Sequence, residues 1–450
     1  MSKNRMALDD LSSFCEPNKD GFVIADVDGL RLYPDRSQLL PYRAVYLMSG
    51  DESVNLSGHQ DYLHSMGIGA RELRFVRGMD LFDGILGTAA ERSRFVSEMG
   101  DPSVTVDTFT GASPGWQSMV KELSLPSERI RTPRWDVAIQ LDDKELLRRI
   151  GSEIGVDNCF PVHTFAHGAS ETMSQIEAMR AQYPSVVVKR PDLESGEGTY
   201  RVNGSDSLRG LSAFLDRYAR GSRPLIVEQW VDGRETVVGS LQWYLPPLRS
   251  PQRRFVSRQY CIGMVHDGNV IGSQDGDVFP EFWPITLRQQ IVERGWSMTG
   301  PFVEKVQREG YVGPLGFDFI VVREGEQSFR IYLLECNARR TASTYLESVR
   351  WQVQRSGRLP TACAAMRNCH PASATHWQEV VQILKTVGSS DGLGDIAMKA
   401  DTGVGVLIAL PRCLELPHPK CLLISVASKV KEAEMLLDAA KARLESQQGS

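Results

Sequence analysis

"LLECNARR", residues 333–340, closes an apolar run on a carboxylate, a carboxamide and two arginines. In the longer stretch "FRIYLLECNARR" the strand period of two puts Leu333, Glu335 and Asn337 on one side, so Glu335 and Asn337 offer oxygens on a common face. The segment before it, "GPLGFDFIVVREGEQS", reads as a second strand carrying Asp318 between Phe317 and Phe319, with "REGEQS" as a polar turn. Antiparallel pairing through that turn brings Asp318 to Glu335, and three oxygen ligands converge. Hard Mg²⁺ takes oxygen ligands, commonly one or two carboxylates completed by water and substrate phosphates. Arg339 falls on the same face and adds a fixed positive charge. An isolated E-x-N pair reads as a solvated strand end; Asp318, Arg339 and the segments upstream favour a metal centre over that reading.

Lys189 ends the apolar strand "SVVVK" and precedes a loop holding Ser195, Gly196, Gly198 and Thr199. A lysine beside a glycine-bearing loop with free backbone N–H groups is sound phosphate chemistry. It is not a Walker loop, because GxxxxGK[ST] does not occur. Glu194 and Glu197 share the loop and would repel a triphosphate unless they point away.

The run Asp318…Glu335-Cys336-Asn337-Ala338-Arg339 resembles the metal-binding end of the ATP-grasp family. The resemblance implies that Asp318, Glu335 and Asn337 hold two Mg²⁺ ions bridging the phosphates of ATP, with Arg339 near the transferred phosphate. Lys189 and the loop after it resemble the family's second phosphate lysine and lid. Lys144, ahead of "GVDNCFPV" (155–162), resembles the first. "IVEQWVDGRE" (226–235) resembles the adenine hinge: Glu228 opens it, the backbone of Gln229, Trp230 and Val231 faces the base, and Glu235 takes the ribose hydroxyls. Trp230 reads equally as a core residue. The overall layout and the "NARRTAST" run are similar to the pheganomycin-type peptide ligase subfamily. Arg258, Arg340, Thr341 and Ser343 are candidate contacts to a substrate carboxylate or peptide, and each reads equally as a surface residue or a structural hydrogen bond. Arg258 is also a candidate catalytic group beside Arg339 and Lys189.

At 450 residues the chain has room for two to four domains. Expected are an α/β pre-ATP-grasp domain over 1–133, an ATP-grasp domain over 134–369 with a lid at about 160–232, and a small αββα domain over 370–450. The class is α/β (α+β). "GFVIADVDGLRLYP" predicts a hairpin turning at Asp28-Gly29, and residues 253–273 predict another turning at Asp267-Gly268. "DDKELLRRIGSEIG" predicts a helix capped by Asp142 or Asp143.

An apolar content of 42% suits a globular core, and a net charge of −5 implies no general affinity for nucleic acid or anionic membrane. Eight cysteines form no CxxC pair, which argues against a zinc ribbon or a disulfide framework. No apolar run reaches membrane-spanning length, so a soluble cytoplasmic protein is expected. The expected activity is an ADP-forming peptide ligase of peptide natural-product (antibiotic) biosynthesis. It activates a small carboxylic acid as an acyl phosphate and couples it to the amine of a peptide or amino acid. Rival readings are an ATP-grasp kinase, a silent ATP-binding regulator and a bicarbonate-using carboxylase partner.

Overall fold

The computed structural model describes residues 21–25, 39, 44–49, 58–69, 72–76, 85–100, 104–108, 113–193, 198–204, 207–233, 235–247, 249–386, 393–416 and 418–446. Among these residues three sheets carry the architecture. The first is parallel: β1 (Gly21–Ala25), β2 (Ala44–Ser49), β3 (Glu72–Val76) and β4 (Thr105–Thr108), in the order β3-β2-β1-β4. Helices α1 (His59–Ser65), α2 (Ala89–Glu98) and α3 (Pro114–Glu122) accompany it. The Asp28-Gly29 turn lies outside the described residues. Both edges of β1 pair with parallel strands, however, so Gly21–Ala25 is a central strand and not the arm of a hairpin.

Two short helices, α4 (Trp135–Asp142) and α5 (Lys144–Glu153), lead into the second unit. Asp143 is the cap of α5: its Oδ1 accepts from the N–H groups of Glu145 at 2.9 Å and Leu146 at 3.0 Å. An antiparallel sheet follows, ordered β5-β8-β6-β7, from β5 (His163–Ala166), β6 (Val186–Lys189), β7 (Thr199–Val202) and β8 (Leu225–Gln229). Helices α6 (Gly168–Arg180) and α7 (Ser207–Tyr218) accompany it, and Ile176 of α6 and Leu211 of α7 share a core with Val186, Val188 and Val227.

The third sheet has eight strands. These are β9 (Thr236–Leu245), β10 (Gln252–Ile262), β11 (Val265–Ile271), β12 (Gly313–Arg323), β13 (Phe329–Asn337), β14 (Cys363–Cys369), β15 (Gly405–Ala409) and β16 (Cys421–Ala427). Their order is β13-β12-β9-β10-β11-β14-β16-β15, so the strands of the C-terminal segment extend the same sheet. Helices α8 (Ile285–Arg308), α9 (Ala342–Arg355), α10 (Trp377–Lys385) and α11 (Val430–Glu445) pack around it. The hairpin of β10 and β11 turns at Gly263-Met264, where Gly263 takes a φ of 63°, and not at Asp267-Gly268, which lie inside β11. No described helix is long and apolar enough to cross a membrane.

Pairing of β12 with β13 sets Gly316 against Asn337, Phe317 against Cys336 and Asp318 against Glu335. The ladder then slips, and Phe319 faces Leu333, leaving Leu334 as the extra residue of a bulge. The slip corrects one expectation. Leu333 packs in the main core with Phe317, Phe319 and Cys336, whereas Leu334 packs with Val231, Ile320 and Val322. Leu333 therefore faces away from Glu335 and Asn337.

Candidate active site

Register carries three oxygen-bearing side chains to one face. Asp318 lies opposite Glu335, and Asn337 donates from Nδ2 to Asp318 Oδ2 at 3.3 Å. The other Asp318 oxygen, Oδ1, is buried with no hydrogen-bond partner among the described residues. Burial, reinforced by the facing Glu335 carboxylate, pushes the Asp318 carboxyl up to about 7. Burial opposes the charge of Glu335 as well, but Lys144, Lys189 and Arg339 outweigh it and hold Glu335 below its usual range. Two carboxylates and a carboxamide around a buried, unpartnered oxygen form a donor set that fits Mg²⁺.

The cations come from other elements. Lys144, the first residue of α5, is buried, and its Nζ lies 2.8 Å from Glu335 Oε2 and 2.7 Å from the carbonyl of Leu193. Lys189, the last residue of β6, donates to Glu228 Oε1 at 2.5 Å. Burial pulls its ammonium below the ordinary range, against the attraction of Glu228 and assisted by Arg148 and Lys144. Arg339 donates to Asp142 Oδ1 at 3.0 Å, and the same oxygen accepts from the Ala338 N–H at 2.6 Å. Asp142 thus fixes the backbone and the guanidinium immediately after β13.

Of the lid residues, Ser195 and Gly196 lie outside the described residues, as do Glu194 and Glu197. Thr199 pairs with Lys189, and Gly198 sits beside them at a φ of 64°. A Cβ at Gly198 would come within 2.7 Å of Arg190 Cβ and Leu193 Cδ1, so glycine is required on both counts. In the hinge, the Gln229 N–H donates to Val162 O at 2.8 Å and the Trp230 N–H to Ser185 O at 3.1 Å. Those two donors are engaged within the protein. The Trp230 side chain is not core: its Nε1 donates to Asp232, and Arg201 stacks 4.3 Å from the ring centroid. Glu228 is buried between Arg148 and Lys189. Glu235 accepts from Arg323 at 2.8 Å.

The remaining candidates are elsewhere. Arg258 pairs with Gly239, and Gly239 with Phe319, whereas Asp318 shares its face with Ser240 and Ser257. Arg258 is therefore on the opposite face of the sheet, bonded to Glu434 of α11, and is not brought to the oxygens. Arg340 is buried against Asp107 of β4. The Thr341 and Ser343 hydroxyls lie 2.8 Å apart at the start of α9. The sequence pattern offered Asp142 only as a helix cap and Val231 only for its backbone, and it did not single out Arg148 or the patch that Ile320, Val322, Tyr332 and Leu334 form with Val231. Ile320, two residues from Asp318 on one face, was the available signal for that patch.

The small sheet that carries Lys189 and Glu228, set beside the larger sheet that carries Asp318 and Glu335, has the layout of the ATP-grasp fold, which the chain shares with solved structures. Among solved structures, the chain is similar to N5-carboxyaminoimidazole ribonucleotide synthetase from Thermus thermophilus, with a TM-score of 0.53 and 16% identity over 96% of this chain and 99% of that one. It is also similar to N5-carboxyaminoimidazole synthase from Aspergillus clavatus, solved with ADP and 5-aminoimidazole ribonucleotide, at 0.53 and 15% over 94% and 97%. Biotin carboxylase from Campylobacter jejuni, in a βγ-ATP complex, gives 0.53 and 12% over 92% and 88%. At these identities the likeness is one of fold. No protein-family model and no curated protein sequence matches the chain.

Proposed function

We propose that the chain is an ADP-forming carboxylate–amine ligase of peptide natural-product biosynthesis. It would activate a small amino-acid-like acid as an acyl phosphate and join it to the amino group of a peptide or amino acid. The observation that carries this reading is Asp318 set against Glu335 on one sheet face, with Lys144 on Glu335 and Lys189 close enough for its charge to be felt there.

The chemistry follows from charge. A carboxylate and the γ-phosphate of ATP repel one another, so the site must neutralise both. Asp318, Glu335 and Asn337 would hold Mg²⁺, which supplies that neutralisation along the triphosphate. Lys144 and Lys189 would exchange their acidic partners for phosphate oxygens, and Arg339, held by Asp142, would face the transferred group. The acid oxygen attacks the γ-phosphorus, the bond to the β,γ-bridging oxygen breaks, and ADP leaves. The amine nitrogen then attacks the acyl carbon and phosphate departs. The small sheet of β5 to β8, within the proposed lid of about 160–232, would cover the acyl phosphate and exclude water. The Val231–Ile320–Leu334 patch would take the adenine.

A second reading is favoured by the names of the similar structures, which are carboxylating enzymes. In it bicarbonate is the acid and a small amine the acceptor. One experiment separates the readings: ADP release with Mg²⁺ ATP, screened against bicarbonate and against paired pools of acids and amines, with mass spectrometry of the products. An amide formed with free phosphate supports the ligase. Turnover that requires only bicarbonate supports the second reading, and a stable phosphorylated acceptor means a kinase. ATP neither bound nor cleaved under any condition defeats all three.

A further inference from the structure

Arg148 was invisible as a functional group in the sequence, one of two adjacent arginines on a helix. Its side chain is fully buried. The guanidinium donates to Glu228 Oε2, to the Lys144 carbonyl at 2.9 Å and, at 3.5 Å, to the carbonyl of the bulge residue Leu334. It also lies 5.0 Å from the centroid of the Phe160 ring. Glu228 gives its other oxygen to Lys189, so one buried carboxylate is shared by two cations.

We infer that Arg148 is the positioning residue that lets Lys189 leave Glu228 for a nucleotide phosphate. The inference rests on the ATP-binding reading above. The triad carries one negative and two positive charges, a surplus of one. If Lys189 moves to a phosphate, Arg148 and Glu228 remain as a neutral, hydrogen-bonded pair. Without Arg148 the same movement would strand a buried carboxylate, which is strongly unfavourable, and Glu228 would keep the lysine. The division of labour suits the two side chains. The guanidinium cannot lose its proton and is fixed by two carbonyls, whereas the lysine is a point charge on a flexible stem. Arg148 thus acts on nucleotide affinity through Lys189 without touching the nucleotide.

Equilibrium binding of Mg²⁺ ATP, Mg²⁺ ADP and adenosine to the full chain tests this. Arg148→Met is expected to weaken ATP and ADP about tenfold and to leave adenosine unchanged. In a Lys189→Met background the same substitution should cost nothing further. Arg148→Met combined with Glu228→Met should regain most of the loss, because the lysine is no longer held, and Arg148→Lys should fall between. These last two variants keep the buried site balanced and decide the matter if Arg148→Met does not fold. Equal losses for adenosine and ATP, or a full loss persisting beside Lys189→Met, would reduce Arg148 to a structural residue and overturn the proposal, as would no loss at all. Failure of the wild-type chain to bind ATP sinks the parent reading first and takes this one with it.

Discussion

The two faces of β12 and β13 are built from the same strands and do opposite work. One face presents Phe317, Phe319, Leu333 and Cys336 to the main core beneath α8. The other carries Asp318, Glu335 and Asn337 towards Lys144, with Ile320 and Leu334 in an apolar cluster alongside. Neighbours in sequence therefore differ completely in what they tolerate. What separates them is register, together with the bulge that lets Leu334 and Glu335 serve the same face although they are consecutive.

Adjacent residues give the sharpest contrast. Cys336→Asp places an unpaired carboxylate among Phe317, Leu333 and Ala338 and is expected to cost about 4 kcal/mol, read as a lowered urea or thermal midpoint. Glu335→Gln, one residue away, should leave that midpoint nearly unchanged and lower ADP release at least about a hundredfold, because the proposed metal site would lose a ligand charge. If Cys336→Asp folds normally, or Glu335→Gln turns over like wild type, the two faces are not divided as described.

Asp318 offers a pH-dependent test of the same face. Its ordinary value of 3.8 rises to about 7 in the folded chain, through burial first and the Glu335 charge second. Between those values the folded state keeps a proton that the unfolded state has lost. The stability this group contributes is therefore fully present below about pH 4 and lost as pH rises through about 7. Metal-free wild type should lose stability relative to Asp318→Asn across that window. Adding Mg²⁺ above pH 7 should return it, since the ionised carboxylate then has a partner. A difference between the two proteins that stays flat with pH would show that Asp318 is not buried against Glu335.

Much of this site was legible because it is local in kind. A long apolar run, a polar turn and a second run specify the pairing of β12 with β13, and the period of two then sets Asp318 against Glu335. The bulge at Leu334 was not legible, because a slipped ladder is decided by how two strands twist against each other. Asp267-Gly268 carries a strong turn signal, yet it is drawn into β11, where Gly268 packs so closely on the β14 backbone that a Cβ would lie 1.9 Å from Met366 O. The roles of Asp142, read only as a helix cap, and of Arg148 were not legible for a third reason. A charged residue on a helix reads as solvated, and only the arrival of β13 and β8 sets Asp142 against Arg339 and buries Arg148 against Glu228.

Arg258 supplies the smallest and most discriminating effect. The sequence offered it as a candidate substrate contact, but the register Arg258–Gly239–Phe319 sends it to the face opposite Asp318. There it meets Glu434 of α11, which also accepts from the Tyr260 hydroxyl, while Arg367 of β14 binds Asp267 and Asp438. These contacts fasten the β10–β11 hairpin to the last helix. Gln259, on the Asp318 side of that hairpin, helps to hold the Asp318 charge. Arg258→Met should therefore cost about 0.5–1 kcal/mol of stability, as a partly exposed ion pair does, and leave the KM values for acid and amine within about twofold of wild type. A large rise in either KM, with stability unchanged, would return Arg258 to the substrate and show that the sheet has a working surface on both sides.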